Sequence, residues 1–238
     1  MPTASLLLLL QVATAAPSHV DDAAVIVSIE DYVAIPDVPG ARAAGQEWYR
    51  YFVEERGILL SQVSLLEDSA ASREEIEAAA QRARDQVGEG GVVWFVFIGN
   101  STARPGDTEP LLVGWDAQRS AELVMARSLR RDALITSMEG GAEHETVLML
   151  DAVAGPPHDL MPLTVPASPV TRSAVVVSGE RPLSPLILGA LRGAADANRD
   201  SLVTVGELRA HTRSAVGVEV IAPSDSLVLS RLTTPGGR

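Results

Sequence analysis

Polar residues that could do chemistry follow two of the most apolar segments of the chain. VVWFVFIG (92–99) precedes Asn100 and Ser101, and ETVLMLDA (145–152) carries Asp151 near its end. Open α/β sheets place binding and catalytic groups at the carboxyl ends of such buried strands. Each feature also has a structural alternative, because Gly-Asn-Ser is an ordinary turn sequence and Asp151 can cap the turn after its strand.

The groups that nucleophilic catalysis needs are sparse. The chain has no cysteine, which excludes a thiolate nucleophile, a thiolate metal site and disulfides. No serine lies in a G-x-S-x-G sequence, so a serine nucleophile would have to be Ser101 or Ser178, with His158 as its base. The glycine-rich GEGG (88–91) precedes its strand, whereas a phosphate-binding loop lies between a strand and a helix.

The segment DANRDSLVTVGE (196–207) has the spacing of a twelve-residue calcium-binding loop. Its sixth position, usually a glycine with positive φ, is Ser201, which costs a serine about 1 kcal/mol. A loop that keeps this shape while its carboxylates only cap turns is the structural alternative. The sequence predicts a weak Ca²⁺ site whose ligands are Asp196, Asn198, Asp200, the carbonyl of Leu202, and Glu207.

An alternation of strand-like and helix-like segments must position these groups. Several strand-like runs are apolar without alternation, which indicates strands buried on both faces of a mostly parallel sheet with helices on either side. We therefore predict one three-layer α/β domain over residues 21–238. The predicted strands are 23–29, 62–68, 92–99, 111–117, 145–152, 173–179 and one in 218–232, and the predicted helices are 41–56, 72–87, 128–139, 183–193 and 204–215.

The charge balance limits the partners of this domain. The net charge is −12, and every basic residue is an arginine, since the chain has no lysine. An acidic surface repels phosphate backbones, so nucleic-acid binding is not expected. The same surface attracts basic peptides and divalent cations.

The first twenty residues are typical of a secretory signal peptide. SLLLLLQVATAA supplies an apolar segment followed by small residues, with Ala13-Thr14-Ala15 as the cleavage site, although MPTAS before it has no basic residue. No later apolar run is long enough to span a membrane. We therefore expect a secreted or periplasmic protein that is not membrane-spanning.

In order and spacing these segments resemble the caspase-like peptidases (caspase/metacaspase clan, peptidase family C14), particularly the bacterial branch, over residues 22–215. The resemblance implies a three-layer caspase-like sandwich. VVWFVFIGNS matches a family strand that ends in Gly-His-Gly, and VLMLDAVAG matches the family's lDaCfsG. The other matching segments are AAVIVSIEDYVAIPDVPGARAAGQEW, SREEIEAAA, LLVGWDA and GALRGAADANRDSLVTVGEL.

The resemblance implies that both catalytic positions are substituted. In the family a cysteine attacks the scissile carbonyl and a histidine acts as acid and base. Here the histidine position is Asn100, the cysteine position is Val153, and Ser101 replaces the glycine after the histidine. Asp151 is retained, and in basic-specific members the matching acidic residue lines the pocket for a substrate Arg or Lys.

These substitutions predict a pseudopeptidase, a catalytically dead protein that binds a basic peptide or protein partner. One alternative is an active endopeptidase homologue or a serine-based hydrolase that cleaves after Arg or Lys. Another is a calcium-stabilised binding scaffold.

Overall fold

The fold is organised around a mixed β-sheet, seen in a computed structural model. The structure describes residues 19–103, 110–140, 143–154, 174–180, 182–215 and 217–232. The strands of these residues are β1 (Ala23–Ser28), β2 (Val63–Glu67), β3 (Val92–Thr102), β4 (Leu111–Val113), β5 (Ser128–Arg130), β6 (Glu145–Ala154), β7 (Ala174–Glu180), β8 (Leu202–Thr204), β9 (Glu219–Ile221) and β10 (Val228–Arg231).

Among the described residues, eight of these strands form the main sheet. Six lie side by side in the order β2-β1-β3-β6-β7-β9, and the first five are parallel while β9 is antiparallel to β7. β4 pairs antiparallel with the end of β3, and β5 pairs antiparallel with β4. β8 and β10 form a separate antiparallel ribbon.

Helices cover both faces of this sheet. They are α1 (Ala41–Arg50), α2 (Arg73–Gln86), α3 (Ala121–Ala126), α4 (Arg131–Met138), α5 (Ser184–Gly189) and α6 (Val205–Thr212). The path β1-α1-β2 moves one way along the sheet and β2-α2-β3 moves back, so right-handed crossovers put α1 and α2 on opposite faces. α4 packs on α2 and α5 packs on α1, which completes three layers. π-helical turns extend α1 through Tyr51–Glu55 and α5 through Ala190–Ala194.

The central strands are buried as their sequence predicts. Every residue of β1 is buried, and so is β3 from Val93 onward. Residues on both sides of these strands are apolar because each face is covered by helices. The predicted fold class, a mostly parallel α/β sandwich, is confirmed.

A buried arginine ties distant parts of the chain together. Arg56 Nε donates to Asp22 Oδ2 at 2.7 Å, and Arg56 Nη1 donates to the Leu229 carbonyl at 2.7 Å. The guanidinium lies 4.6 Å from the centre of the Trp94 ring, and Asp22 Oδ1 accepts the Val92 amide at 2.9 Å. We call this group the Arg56 anchor. Removing one partner of such a buried pair typically costs about 3–5 kcal/mol.

Several local predictions were wrong, and one of them is the strand predicted for 111–117, because β4 ends at Val113. β3 does not end at Gly99 but runs to Thr102, because β4 pairs with its last residues. The helix predicted for 128–139 begins at Arg131, since Ser128–Arg130 forms β5 against β4. The tail over 218–232 supplies two strands in different sheets rather than one.

The expectation of a secreted protein that does not span a membrane concerns the first residues and the helices. Of the predicted signal peptide, residues 1–18 lie outside the described residues. Among the helices of the described residues, none combines the length and hydropathy that crossing a bilayer requires.

Candidate functional site

The two positions matched to the peptidase dyad lie side by side. β3 and β6 pair in parallel register, with Asn100 opposite Val153 and Ser101 opposite Ala154. Asn100 is 4% exposed, and Val153 is partly buried against the core. The site at this edge is thus formed by an amide and an alkyl side chain on neighbouring strands.

Asn100 is held from two directions. Its Nδ2 donates to the Pro36 carbonyl at 2.8 Å, and its backbone N–H donates to Tyr32 Oη at 2.8 Å. The Tyr32 hydroxyl in turn donates to the Val113 carbonyl at 3.2 Å. Burial raises the pKa of Tyr32 well above its ordinary value, so its hydroxyl keeps the proton that it donates.

The segment that contacts Asn100, residues 30–40 between β1 and α1, is anchored at both ends. Asp68 Oδ1 accepts the amides of Glu30 and Asp31 at 2.8 and 3.0 Å, and Asp68 Oδ2 accepts Arg42 Nε at 3.1 Å. Glu30 Oε2 accepts the amides of Gly40 and Arg42 at 3.1 Å. Burial alone would raise the pKa of Asp68, but these hydrogen bonds outweigh it and lower the pKa below its ordinary value.

The serine-based alternative finds little support in this geometry. Ser101 Oγ donates to the Val153 carbonyl at 3.4 Å, so its proton bonds a backbone oxygen rather than a base. His158 lies outside the described residues. His19 and His144 precede β1 and β6, and therefore lie near the opposite, amino-terminal edge of the sheet.

Asp151 is buried and its carboxylate binds the start of α5. It is 2% exposed, and it accepts the Leu183 amide at 3.1 Å, the Ser184 amide at 2.8 Å and the Ser184 hydroxyl at 2.6 Å. Ser184 Oγ also accepts Trp48 Nε1 at 3.0 Å. Asp151 therefore makes the hydrogen bonds of a capping residue, which was the structural alternative for this position. A role of Asp151 in substrate binding stays a prediction.

In the loop over residues 196–207, side-chain oxygens accept hydrogen bonds from the backbone amides of the same loop. Asp196 Oδ2 accepts the Ser201 amide at 3.1 Å, and Ser201 has φ of 66°. Asn198 Oδ1 accepts the Asp200 amide at 2.8 Å, and Asp200 Oδ1 accepts the Leu202 amide at 2.9 Å. The positive φ expected at the sixth position is therefore present in a serine.

Three carboxylates of this loop converge. One oxygen each from Asp196, Asp200 and Glu207 lies within 4.8 Å of the others. Asp196 Oδ1 and Glu207 Oε1 are buried and have no hydrogen-bond partner among the described residues. Glu207 Oε2 accepts the Thr204 amide and hydroxyl at 3.0 and 2.9 Å, which begins α6 with a capping box. Hard oxygen donors in this arrangement suit Ca²⁺.

Sequence reasoning missed two features of these sites. The first is that Tyr32 and Pro36 bind Asn100. The sequence signal for this contact was a tyrosine within a proline-containing segment, because a buried tyrosine hydroxyl needs a hydrogen-bond partner. The loop also pairs with the tail, because β8 lies against β10 and the Leu232 amide donates to the Ser201 carbonyl at 2.8 Å.

Comparisons with known proteins bear on the fold. No protein-family profile matches the chain, and no curated protein matches it in sequence. Protein GSU0716 from Geobacter sulfurreducens superposes with a TM-score of 0.61 at 13% identity, over 89% of this chain and 99% of its own. The structure of pro-sf-caspase-1 superposes with a TM-score of 0.54 at 11% identity, over 94% of this chain and 100% of its own. The chain therefore has a caspase-like α/β fold.

Proposed function

We propose that this caspase-like protein does not cleave peptides and instead binds a basic segment of a partner at the edge where β3 and β6 end. The observation that supports the proposal most directly is the pairing of Asn100 with Val153. These are the positions at which the resemblance predicts the acid-base group and the nucleophile.

Neither side chain can perform covalent peptide cleavage. Acyl transfer of this kind requires a nucleophilic atom within reach of a group that exchanges a proton near neutral pH. Val153 has no nucleophilic atom, and the Asn100 amide already donates to the Pro36 carbonyl. A cysteine elsewhere cannot take over, because the chain has none.

Charge around the site favours a basic partner. Asp37 is exposed and follows Pro36, whose carbonyl Asn100 binds, and Asp37 Oδ1 accepts the Tyr32 amide at 3.1 Å. Asp31, in the same segment, has 68% of its side chain exposed, but its Oδ2 pairs with Arg42 Nη2 at 2.8 Å. Asp37 is therefore the rim carboxylate without an arginine partner among the described residues. These carboxylates belong to a protein of net charge −12, so guanidinium and ammonium groups are attracted to the edge. Recognition would rest on this rim, since Asp151 is occupied by α5.

Binding is tested with a fluorescent arginine-containing peptide and its glutamine counterpart, followed by anisotropy at low and high salt. We expect the arginine peptide to bind more tightly, with an affinity that falls as salt rises. Asp37→Asn should weaken binding several-fold, while Asp85→Asn, which removes an exposed carboxylate from α2, should not. Equal binding of the two peptides, or equal effects of the two variants, would contradict the proposed basic partner.

Cleavage is tested separately with the same peptides. The unmodified protein should show no turnover, and the double variant Asn100→His with Val153→Cys should cleave after arginine if the dyad positions are assigned correctly. Val153→Cys alone is the control, because it restores the nucleophile without the base. Turnover by the unmodified protein would refute the loss of activity, and an inactive, folded double variant would refute the assignment of the two positions.

We propose, as a second function, that Ca²⁺ binding to residues 196–207 stabilises the protein. The specific observation in favour is the pair of buried oxygens without partners, Asp196 Oδ1 and Glu207 Oε1. A ligand at ten times its dissociation constant stabilises the folded state by about 1.4 kcal/mol. The melting temperature should therefore rise with millimolar Ca²⁺, and Asp196→Asn should remove the rise. A Ca²⁺ effect that persists in Asp196→Asn, or no effect in the unmodified protein, would refute this site.

A further inference from the structure

A cavity of about 340 Å³ lies beside the Arg56 anchor, far from the edge that carries Asn100 and Val153. The anchor joins Asp22 and Val92, which lie at the amino ends of β1 and β3. The cavity is therefore at the opposite edge of the sheet from the proposed peptide site. Its wall combines arginines with apolar side chains, namely Arg56, Arg192, Arg231, Tyr51, Leu191 and Leu232.

The three arginines differ in how fully they are neutralised. Arg192 forms an ion pair with Glu55, with Nε and Oε2 2.8 Å apart. Arg56 has 4% of its side chain exposed and uses Nε and Nη1 within the anchor, which leaves Nη2 without an acceptor among the described residues. Arg231 is exposed at the end of β10 and has no acidic partner within the described part of the chain.

The charge of the cavity is opposite to that of the whole protein. Arg56 is balanced by Asp22 and Arg192 by Glu55. Glu47 also lies 3.8 Å from Arg192, but it is balanced by its own pair with Arg50, so Arg231 leaves one positive charge in excess. Burial and the charge of Arg56 lower the pKa of His19, which also lines the cavity, so this ring is neutral at neutral pH. A local cationic cavity within a chain of net charge −12 is not explained by overall composition.

We propose that this cavity binds a small organic anion, a carboxylate attached to an apolar body. Guanidinium groups bind carboxylates through paired, charge-assisted hydrogen bonds, and Arg56 Nη2 and Arg231 supply the donors. Tyr51, Leu191 and Leu232 supply the apolar surface for the rest of the ligand. The volume admits a ligand of about the size of benzoate, near the lower end of ordinary ligand sites. This inference does not depend on the proposed peptide-binding function.

Benzoate and benzamide form a matched pair of probes, since they differ chiefly in charge. Trp94 provides the readout, because its ring lies 4.6 Å from the Arg56 guanidinium and its indole N–H is buried without a partner among the described residues. The indole resonance of Trp94, identified with a Trp94→Phe variant, should shift saturably with benzoate. Benzamide at the same concentrations should leave it in place.

Variants of Arg231 then test the site itself. Arg231→Gln should weaken benzoate binding about tenfold, as expected for the loss of one charge-assisted hydrogen bond, and Arg231→Lys should recover part of the affinity. Arg213→Gln makes the same change on an exposed residue after α6 and should have no effect. The proposal is overturned if Trp94 shows no saturable shift, if benzamide acts like benzoate, or if Arg231→Gln binds benzoate as the unmodified protein does.

Discussion

Replacing Asp151 by alanine decides whether this carboxylate supports the fold or serves a ligand. The change removes the acceptor of three buried hydrogen bonds, from the Leu183 amide and from the amide and hydroxyl of Ser184. The hydroxyl can turn to another acceptor, but the two amides cannot move without unwinding the start of α5. Each buried amide left unpaired costs about 1–3 kcal/mol, so the free energy of unfolding should fall by about 4 kcal/mol.

Two further variants make the argument quantitative. Asp151→Asn keeps one acceptor oxygen but turns an NH₂ group towards backbone donors, so it should lose about half as much stability. Ser184→Ala removes the hydroxyl that links Trp48 to Asp151. Because these residues share one network, the double variant with Asp151→Ala should show a coupling energy of about 1 kcal/mol or more.

Urea unfolding followed by tryptophan fluorescence measures these changes in the free energy of unfolding. An unchanged slope of this free energy against urea concentration indicates that the transition stays two-state in the variants. Asp85→Ala, which removes an exposed carboxylate from α2, should stay within about 0.5 kcal/mol of the unmodified protein. If Asp151→Ala keeps its stability and loses only binding of the arginine peptide, Asp151 is a ligand group and the capping argument is refuted.

Three further changes test other features of the structure. Tyr32→Phe removes the hydroxyl between the Asn100 amide and the Val113 carbonyl and should cost about 2–3 kcal/mol in urea unfolding, while an unchanged midpoint would exclude this link. Ser201→Gly relieves a serine at φ of 66° and should raise stability by up to about 1 kcal/mol; a loss would mean that the strain is absent. The pKa of Asp68 is lower in the folded state than in the unfolded state, so its ionised carboxylate stabilises the fold. This stabilisation is fully present above the unfolded pKa of about 4 and is lost as pH falls through the lower folded pKa. Asp68→Asn should therefore flatten the acid limb of the curve of stability against pH, and an unaltered acid limb would refute the assignment.

The sequence correctly predicts those elements whose residue pattern lies within the element itself. Unbroken apolar runs identify the central strands β1, β3, β6 and β7, because burial on both faces removes polar positions. The predicted start of the helix over 72–87 is likewise local, because Ser72 Oγ accepts the Glu75 amide at 3.3 Å and caps α2.

The parts that the sequence misses depend on distant partners. β5 has three residues, too few to show a period of two, and exists because Leu111–Val113 pairs with it. α3 has six residues and exposes Leu123, so its apolar stripe is weak. The tail divides between two sheets because Val228–Arg231 pairs with the strand inside the 196–207 loop.

The candidate sites divide in the same way. The spacing of Asp196, Asp200 and Glu207 within one loop is a local signal, and these carboxylates do converge. The contact of Asn100 with Tyr32 joins residues that are 68 positions apart, so no short motif can reveal it. The capping of α5 by Asp151 joins residues 32 and 33 positions apart and is equally hidden from local patterns.

The Arg56 anchor has a consequence for the lifetime of the folded state. Its hydrogen bonds reach partners 34 and 173 positions away in sequence, so most of the chain must be in place before both can form. Interactions that form after the folding transition state affect chiefly the rate of unfolding. We therefore expect Arg56→Met to shorten the half-life of the protein in strong denaturant and in protease far more than it slows refolding. The anchor would then set how long the folded state persists, through the rate of unfolding, rather than how fast the chain folds.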